Sequence, residues 1–270
     1  MIFIGEKLNS SVPKTFELMK ANDTEKIKEL ISLQFDAGAN YVDLNAGTFT
    51  DEKEKLRSLM ALVFESFPDA PVMIDSANGK LLGEIVENEC PKHCIVNSVT
   101  LRERYDEVVP AVKKKLGEGY DISLVAMPVE GKLPGTAEKR RENAAKIIEK
   151  LASDGIPQSR VFVDVISEAV AVDDQAAVKL FDTLRFVKEN YPETKTVCGL
   201  SNISFGLPKR IKLNCSMISI VTYLGIDALI TDVISPEVRA AVYSSELLCG
   251  KDEFCMNYID FIRNGYNENK

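Results

Sequence analysis

Any chemistry this chain performs has to be done with a single histidine, His93, and the polar residue types that recur at informative spacing are aspartate and asparagine. Carboxylates or carboxamides stand at or just beyond the ends of short apolar runs at Glu6, Asp43 with Asn45, Asp75, Asn97, Asp164 and Asp232. The fifth run ends in Met127, and the seventh passes through Gly199-Leu200-Ser201 to Asn202, so that these positions lie 22 to 38 residues apart. A polar side chain at the end of a buried strand costs free energy to desolvate unless it finds a partner, so a ring of them implies a shared site. A flat heterocycle with adjacent ring N–H and amino donors offers an edge that one carboxylate, Asp75 or Asp164, accepts in bidentate fashion. Asn97 and Asn202 each carry a donor and an acceptor on one rigid group and can read a mixed edge. Two aspartates with two asparagines therefore suit a pterin. A phosphate or sulfate would ask for Arg, Lys and helix amino termini instead.

Each of these residues also has a purely structural reading. Aspartates at strand ends cap the helices that follow, and Asn45 before Gly47 or Asn78 before Gly79 can serve as turn residues. What favours a common site is repeated register: Asp75 follows Val-Met-Ile, Asn97 follows Cys-Ile-Val and Asp164 follows Val-Phe-Val. Three strands with the same offset aim three polar groups the same way.

The elements that must position them are strands over 2–4, 41–44, 72–74, 94–96, 122–126, 161–163, 196–200 and 228–230, rich in β-branched residues and apolar on both faces. Between them lie helix-period segments near 24–37, 51–66, 80–88, 102–116, 136–153, 174–190, 209–224 and 236–248, the first with an Asp23 cap and a Gly38 stop. Strand and helix alternating eight times predict an α/β fold of the (β/α)8 TIM-barrel class, a single domain over 1–270, with the polar ring at the carboxyl face. A doubly wound sheet would want a Gly-rich phosphate turn after the first strand, and Gly5-Glu6-Lys7-Leu8-Asn9 supplies one glycine. The basic runs Lys113-Lys114-Lys115 and Lys139-Arg140-Arg141 fall on outer helices and are expected to be solvated.

A formal net charge of −8 gives no basis for gripping nucleic acid or an anionic membrane, which leaves small molecules and proteins as partners. Charge at Glu6 comes too early for a signal peptide and no apolar run is long enough to span a bilayer, so a cytoplasmic protein is expected. The six cysteines are expected to be free thiols. Cys90-Pro-Lys-His93-Cys94 offers at most three soft ligands at the opposite, amino face, where packing is preferred over metal. A lone histidine also removes Ser-His, Cys-His and multi-histidine zinc chemistry, and no metal is expected on this chain.

The segments GEKLN (5–9), DLNAG (43–47), MIDSAN (73–78), IVNS (95–98), FVD (162–164) and GLSNISFGLPKR (199–210), in that order along essentially the whole chain, resemble the methyltetrahydrofolate:corrinoid protein methyltransferases. DLNAG and a strand ending in Asp are shared more widely among pterin-binding barrels, including dihydropteroate synthase and the folate domain of methionine synthase. The resemblance implies a TIM barrel that binds the pterin of tetrahydrofolate or 5-methyltetrahydrofolate. A methyl group then passes between N5 and the cobalt of a cobalamin, or related corrinoid, carried by a partner corrinoid protein. A homodimer is implied as well. By position, Asp75, Asn97 and Asp164 match the family's pterin-binding residues, Asn202 the asparagine that hydrogen-bonds near N5, and Gly199 and Ser201 neighbours that line the pocket. Arg210 matches an arginine-bearing segment, and Glu6, Asp43, Asn45, Met127, Phe205 and Asp232 are further candidates for pocket or partner contacts. Where some family members carry a polar residue, Phe205 is apolar, as in the methionine synthase branch; the outer pocket and the direction of transfer stay open.

The implied chemistry needs N5 to gain positive character, because a tertiary amine is a poor leaving group. With no histidine as general acid, Asn202 is expected to hydrogen-bond N5 increasingly as a proton arrives from solvent, with Asp75 holding the ring. Two alternatives remain. A dihydropteroate synthase-like enzyme would need a basic residue on strand seven and a Ser-Arg-Lys-type segment late in the chain, where Asn202 and Thr231-Asp232 stand instead. A non-catalytic folate-binding subunit would keep Asp75, Asn97 and Asp164 without turning over.

Overall fold

The protein is described over residues 1–266 of a computed structural model; residues 267–270 of the expected 1–270 domain lie outside the described part. Eight parallel strands close into one barrel in sequence order: β1 (Ile2–Gly5), β2 (Tyr41–Asn45), β3 (Val72–Asp75), β4 (His93–Val99), β5 (Asp121–Ala126), β6 (Val161–Asp164), β7 (Lys195–Gly199) and β8 (Ala228–Thr231). Closure comes from β1 pairing with β8, Ile2 against Ala228 through Gly5 against Thr231. The outer layer is α1 (Pro13–Ala21), α2 (Thr24–Asp36), α3 (Glu52–Ser66), α4 (Gly79–Asn88), α5 (Tyr105–Gly117), α6 (Ala137–Ser153), α7 (Ala176–Asn190), α8 (Arg210–Tyr223) and α9 (Pro236–Leu248). Among the described residues no helix is long and apolar enough to cross a membrane.

Strand alternation divides the apolar residues into two cores. One set points into the barrel and meets in a cluster of Ile4, Met73, Ile95, Val125, Phe162, Val197 and Ala228. The residues between them, such as Val42, Leu44, Val72, Ile74 and Val96, point outward and pack under the helices. Because the period is two, the next inward position beyond Ile4, Met73, Ile95, Val125 and Phe162 falls at Glu6, Asp75, Asn97, Met127 and Asp164. The polar ring is the barrel's own topmost layer, carried on a filled and rigid stack.

Three local departures from the sequence expectations have physical causes. α1 is an extra helix before α2; Pro13 pre-sets its first turn, but it buries only Thr15 and Met19, so its apolar periodicity is faint. α5 starts at Tyr105 instead of 102, its first turn supplied with Asp106 and Glu107. β7 stops at Gly199 because Leu200–Ser204 wind into a 3-10 turn. At the amino end, His93 Nδ1 pairs with Asp121 (2.6 Å) and Nε2 with the Tyr41 hydroxyl (3.0 Å), while Cys90 and Cys94 are free thiols, Cys90 donating to Val86 O at 3.0 Å. This segment lies at the far end of the barrel from the polar ring.

Candidate functional site

The ring is wired laterally. Asn45, Asp75 and Asn97 are register partners on β2, β3 and β4, so three inward polar groups stand side by side. Asn45 Nδ2 donates to Asp75 Oδ2 at 2.7 Å while its Oδ1 accepts from the Gly47 N–H at 2.9 Å. The turn role and the site role of Asn45 are thus one geometry. Asn78, by contrast, is a helix cap, accepting from the Leu81 N–H at 3.1 Å. Asn97 aims its amide at Met73 Sδ, a weak acceptor at 3.5 Å, which leaves its hydrogen-bonding capacity for a ligand. Asp164 Oδ1 accepts from the Ile166 N–H at 2.8 Å.

Burial pushes the Asp75 and Asp164 carboxyls up to about 6, opposed at Asp75 first by the Asn45 amide and then by the Arg104 guanidinium, and at Asp164 by the Ile166 N–H and then Arg140. Two acids poised this near neutrality release much of their desolvation cost when a ligand supplies N–H donors. Asp43 sits one layer deeper, 1 % exposed, with Oδ1 unpartnered and Oδ2 accepting from Asn9 at 3.3 Å. Burial, with the charge of Asp75 beside it, holds the Asp43 carboxyl well above the usual range, and its depth makes it the floor of the mouth and not part of its accessible rim.

Across the mouth a second network braces the 3-10 turn after β7. Ser201 Oγ donates to Glu6 Oε1 at 2.8 Å, and Arg210 donates to Ser201 O (2.5 Å) and Ser204 Oγ (3.1 Å), with its guanidinium 5.8 Å from the Phe205 ring centroid. Burial raises the Glu6 carboxyl. Lys7 Nζ is committed to Asp232 at 2.5 Å, so this cation is already paired with a carboxylate. Asn202 rides on the turn, exposed; a Cβ added at Gly199 would lie 3.0 Å from its Nδ2, which shows its amide folded back over the end of β7. Phe205 is 66 % exposed at the rim, and Met127 sits on the ring beside Arg104, whose Nη2 lies 3.9 Å from its Sδ.

The structure therefore brings Glu6, Asn45, Asp75, Asn97, Met127, Asp164, Gly199, Ser201, Asn202 and Asp232 to one mouth, places Asp43 beneath it, and sets Arg210 and Phe205 behind and above the turn. Sequence reading missed Arg104, which donates to Ser98 Oγ (3.0 Å) and balances Asp75, and Arg140. Arg140 was expected on a solvated face and is fully buried. The available signal was its position on the stripe Arg140, Ala144, Ile147, Ile148 and Leu151, all of which α6 buries.

Such a mouth defines a class: a TIM barrel whose carboxyl face presents half-buried carboxylates and carboxamides suited to a flat, donor-rich heterocycle. Comparison with known proteins agrees. The profile of the pterin binding enzymes matches residues 5–232. The chain is 30 % identical to the methylcorrinoid:tetrahydrofolate methyltransferase of Eubacterium limosum over 267 residues, 98 % of this chain and 97 % of that protein. It is 26 % identical to methionine synthase of Mycobacterium leprae over 215 residues, 77 % of this chain but 18 % of that protein. Among solved structures, Yersinia pestis dihydropteroate synthase with a pterine-sulfa conjugate superposes with a TM-score of 0.67 at 15 % identity, covering 92 % of this chain and 93 % of that one, a likeness of fold alone. The chain belongs to the pterin binding enzymes and, within them, to the methyltetrahydrofolate:corrinoid protein methyltransferases.

Proposed function

We propose that this protein moves a methyl group between N5 of tetrahydrofolate and the cobalt of a corrinoid held by a separate protein. The observation that carries the reading is the pairing of Asp75 and Asp164, half-buried acceptors with raised affinity for protons, with an Asn202 amide folded over Gly199 on the neighbouring strand end. The carboxylates and Asn97 take the pterin edge; Asn202, which makes no side-chain hydrogen bond among the described residues, is left for N5. The corrinoid supplies the cobalt that takes up or releases the methyl. Everything else falls to this chain: it orients the ring, shields it, and lets positive charge develop at N5 against the Asn202 amide dipole. The similarity to the Eubacterium limosum protein along nearly the full length of both chains supports the same substrates. Against a synthase that must grip an anionic leaving group, β7 ends in Gly199 and carries its lysine, Lys195, at the opposite, amino end.

The proposal includes a homodimer. Exposed Ile220 and Tyr223 on α8, Leu248 at the end of α9, and Phe254 and Met256 beyond it supply apolar surface for a second copy. Light scattering that gives a monomer mass at micromolar concentration removes that part. The activity is tested by mixing the protein with 5-methyltetrahydrofolate and a reduced corrinoid protein and following the cobalt spectrum; no transfer would leave a silent folate-binding subunit. In the active system Asn202→Ala is expected to lower the single-turnover rate about 10- to 1000-fold while weakening folate binding much less. An unchanged saturating rate rules out Asn202 as the N5 partner.

A further inference from the structure

Arg140 heads the fully buried side chains by size. A guanidinium carries five N–H donors and stays charged, so its burial needs acceptors and a reason. From the first turn of α6 it donates through Nη1 to Ile166 O at 2.9 Å, through Nε to Pro134 O at 3.4 Å, and through Nη2 to Glu168. Ile166 and Glu168 belong to the loop that leaves β6 just after Asp164. Ile166 has φ +57°, a region that β-branched residues avoid and that persists only where surrounding contacts enforce it. In that conformation its N–H points back onto Asp164 Oδ1 at 2.8 Å. The carbonyl of one residue is thus held by Arg140 while its N–H holds the carboxylate.

We propose that Arg140 is the positioning residue for Asp164: it clamps Ile166 in the left-handed conformation that orients the carboxylate, and it supplies the buried counter-charge from behind. The inference rests on the reading of Asp164 as the pterin acceptor and names the device that prepares it. The other charged and titratable groups bearing on Asp164 are Asp75 across the mouth on β3 and the Cys198 thiol on β7. Glu168 and Asp173, from the same loop, act in turn on Arg140. Glu168 competes for the guanidinium and is 29 % exposed, so it can be altered without opening the core.

The test is the protonation of Asp164 in the unliganded full-length protein, read from the infrared carbonyl band of its acid form after subtraction of the Asp164→Asn spectrum, alongside tetrahydrofolate affinity by calorimetry from pH 5 to 8. Arg140→Met should move the Asp164 midpoint up by about one pH unit and weaken affinity at pH 7 roughly tenfold. Glu168→Gln should move it down, because Arg140 loses its competing anion; this variant decides the matter if Arg140→Met does not fold. Arg140→Lys keeps charge but not the fork, and should lose affinity with a smaller shift in midpoint. A midpoint unmoved in the folded Arg140→Met and Glu168→Gln proteins overturns the clamp, even where thermal stability falls. If instead the midpoints move as expected while Asp164→Ala binds tetrahydrofolate normally, the clamp stands and the pterin assignment of Asp164 falls.

Discussion

Gly199→Ala tests the role of Asn202 without touching it. Gly199 has φ −75° and ψ 92°, a conformation open to any residue, so alanine adds no backbone strain and should slightly stabilise the fold by restricting the unfolded chain. Its new Cβ would lie 3.0 Å from Asn202 Nδ2 and 3.7 Å from Cγ. An ordinary contact between such atoms is about 3.5 Å or more, so the amide must retreat by roughly half an ångström. Asn202 is exposed and can move, which keeps the cost to folding small, within about 0.5 kcal/mol. The cost to chemistry is larger, because an amide displaced by that much loses most of the hydrogen bond its oxygen accepts from protonating N5, and full deletion of such a bond typically costs about 100- to 1000-fold in rate. We expect the single-turnover methyl-transfer rate at saturating folate to fall about 10- to 100-fold. Folate affinity should change less than about threefold and the melting temperature should hold or rise. Stopped-flow cobalt absorbance, calorimetry and a thermal melt supply the three readings. The decisive control is the double variant: in an Asn202→Ala background, Gly199→Ala should cost nothing further. An undiminished rate, or an equal drop in the absence of the Asn202 amide, refutes the mechanism.

Three further outcomes are expected. Asp164→Ala leaves pterin donors unpaired and should weaken folate binding by about 2 to 4 kcal/mol, roughly 30- to 1000-fold, by calorimetry; a folded variant with native affinity removes Asp164 from the site. Asp164 has a folded-state pKa of about 6, above its unfolded value, so the native state holds the proton longer and the group's contribution to stability declines as pH rises from about 4 to 6. Asp164→Asn should therefore recover about 1 to 3 kcal/mol of stability at pH 7 relative to pH 4, seen as a melting temperature that depends less on pH; an unaltered pH dependence contradicts the raised pKa. Elemental analysis should find no stoichiometric metal on this chain whose removal by chelator abolishes methyl transfer, since a site of Asp and Asn is a poor cage for a tightly held transition metal.

The fold was legible because its two signals are local. Apolar runs such as Val72–Ile74 and Val161–Val163, alternating with amphipathic segments at one strand plus one helix per repeat, leave a closed parallel barrel as the arrangement that buries both faces of every strand. The ring was legible for the same reason: a period of two carries Asp75, Asn97 and Asp164 to one height once Met73, Ile95 and Phe162 point inward. Sequence alone thus determined the barrel and the chemical character of its mouth. Relations between strands and loops far apart in the chain were decided only by tertiary structure. Asp43 shares its strand with Asn45, yet two residues of depth turn one into a buried floor whose carboxyl is pushed well up and the other into a bridge to Asp75. Arg140 reads as one of three basic surface residues until the loop after β6 folds over it and its partners, 26 and 28 residues away, make a buried cation tolerable. Composition and period report which face a side chain takes; depth, counter-charge and hydrogen-bond partners arise from chain closure, and these set whether a carboxyl at the mouth is an acid or an acceptor.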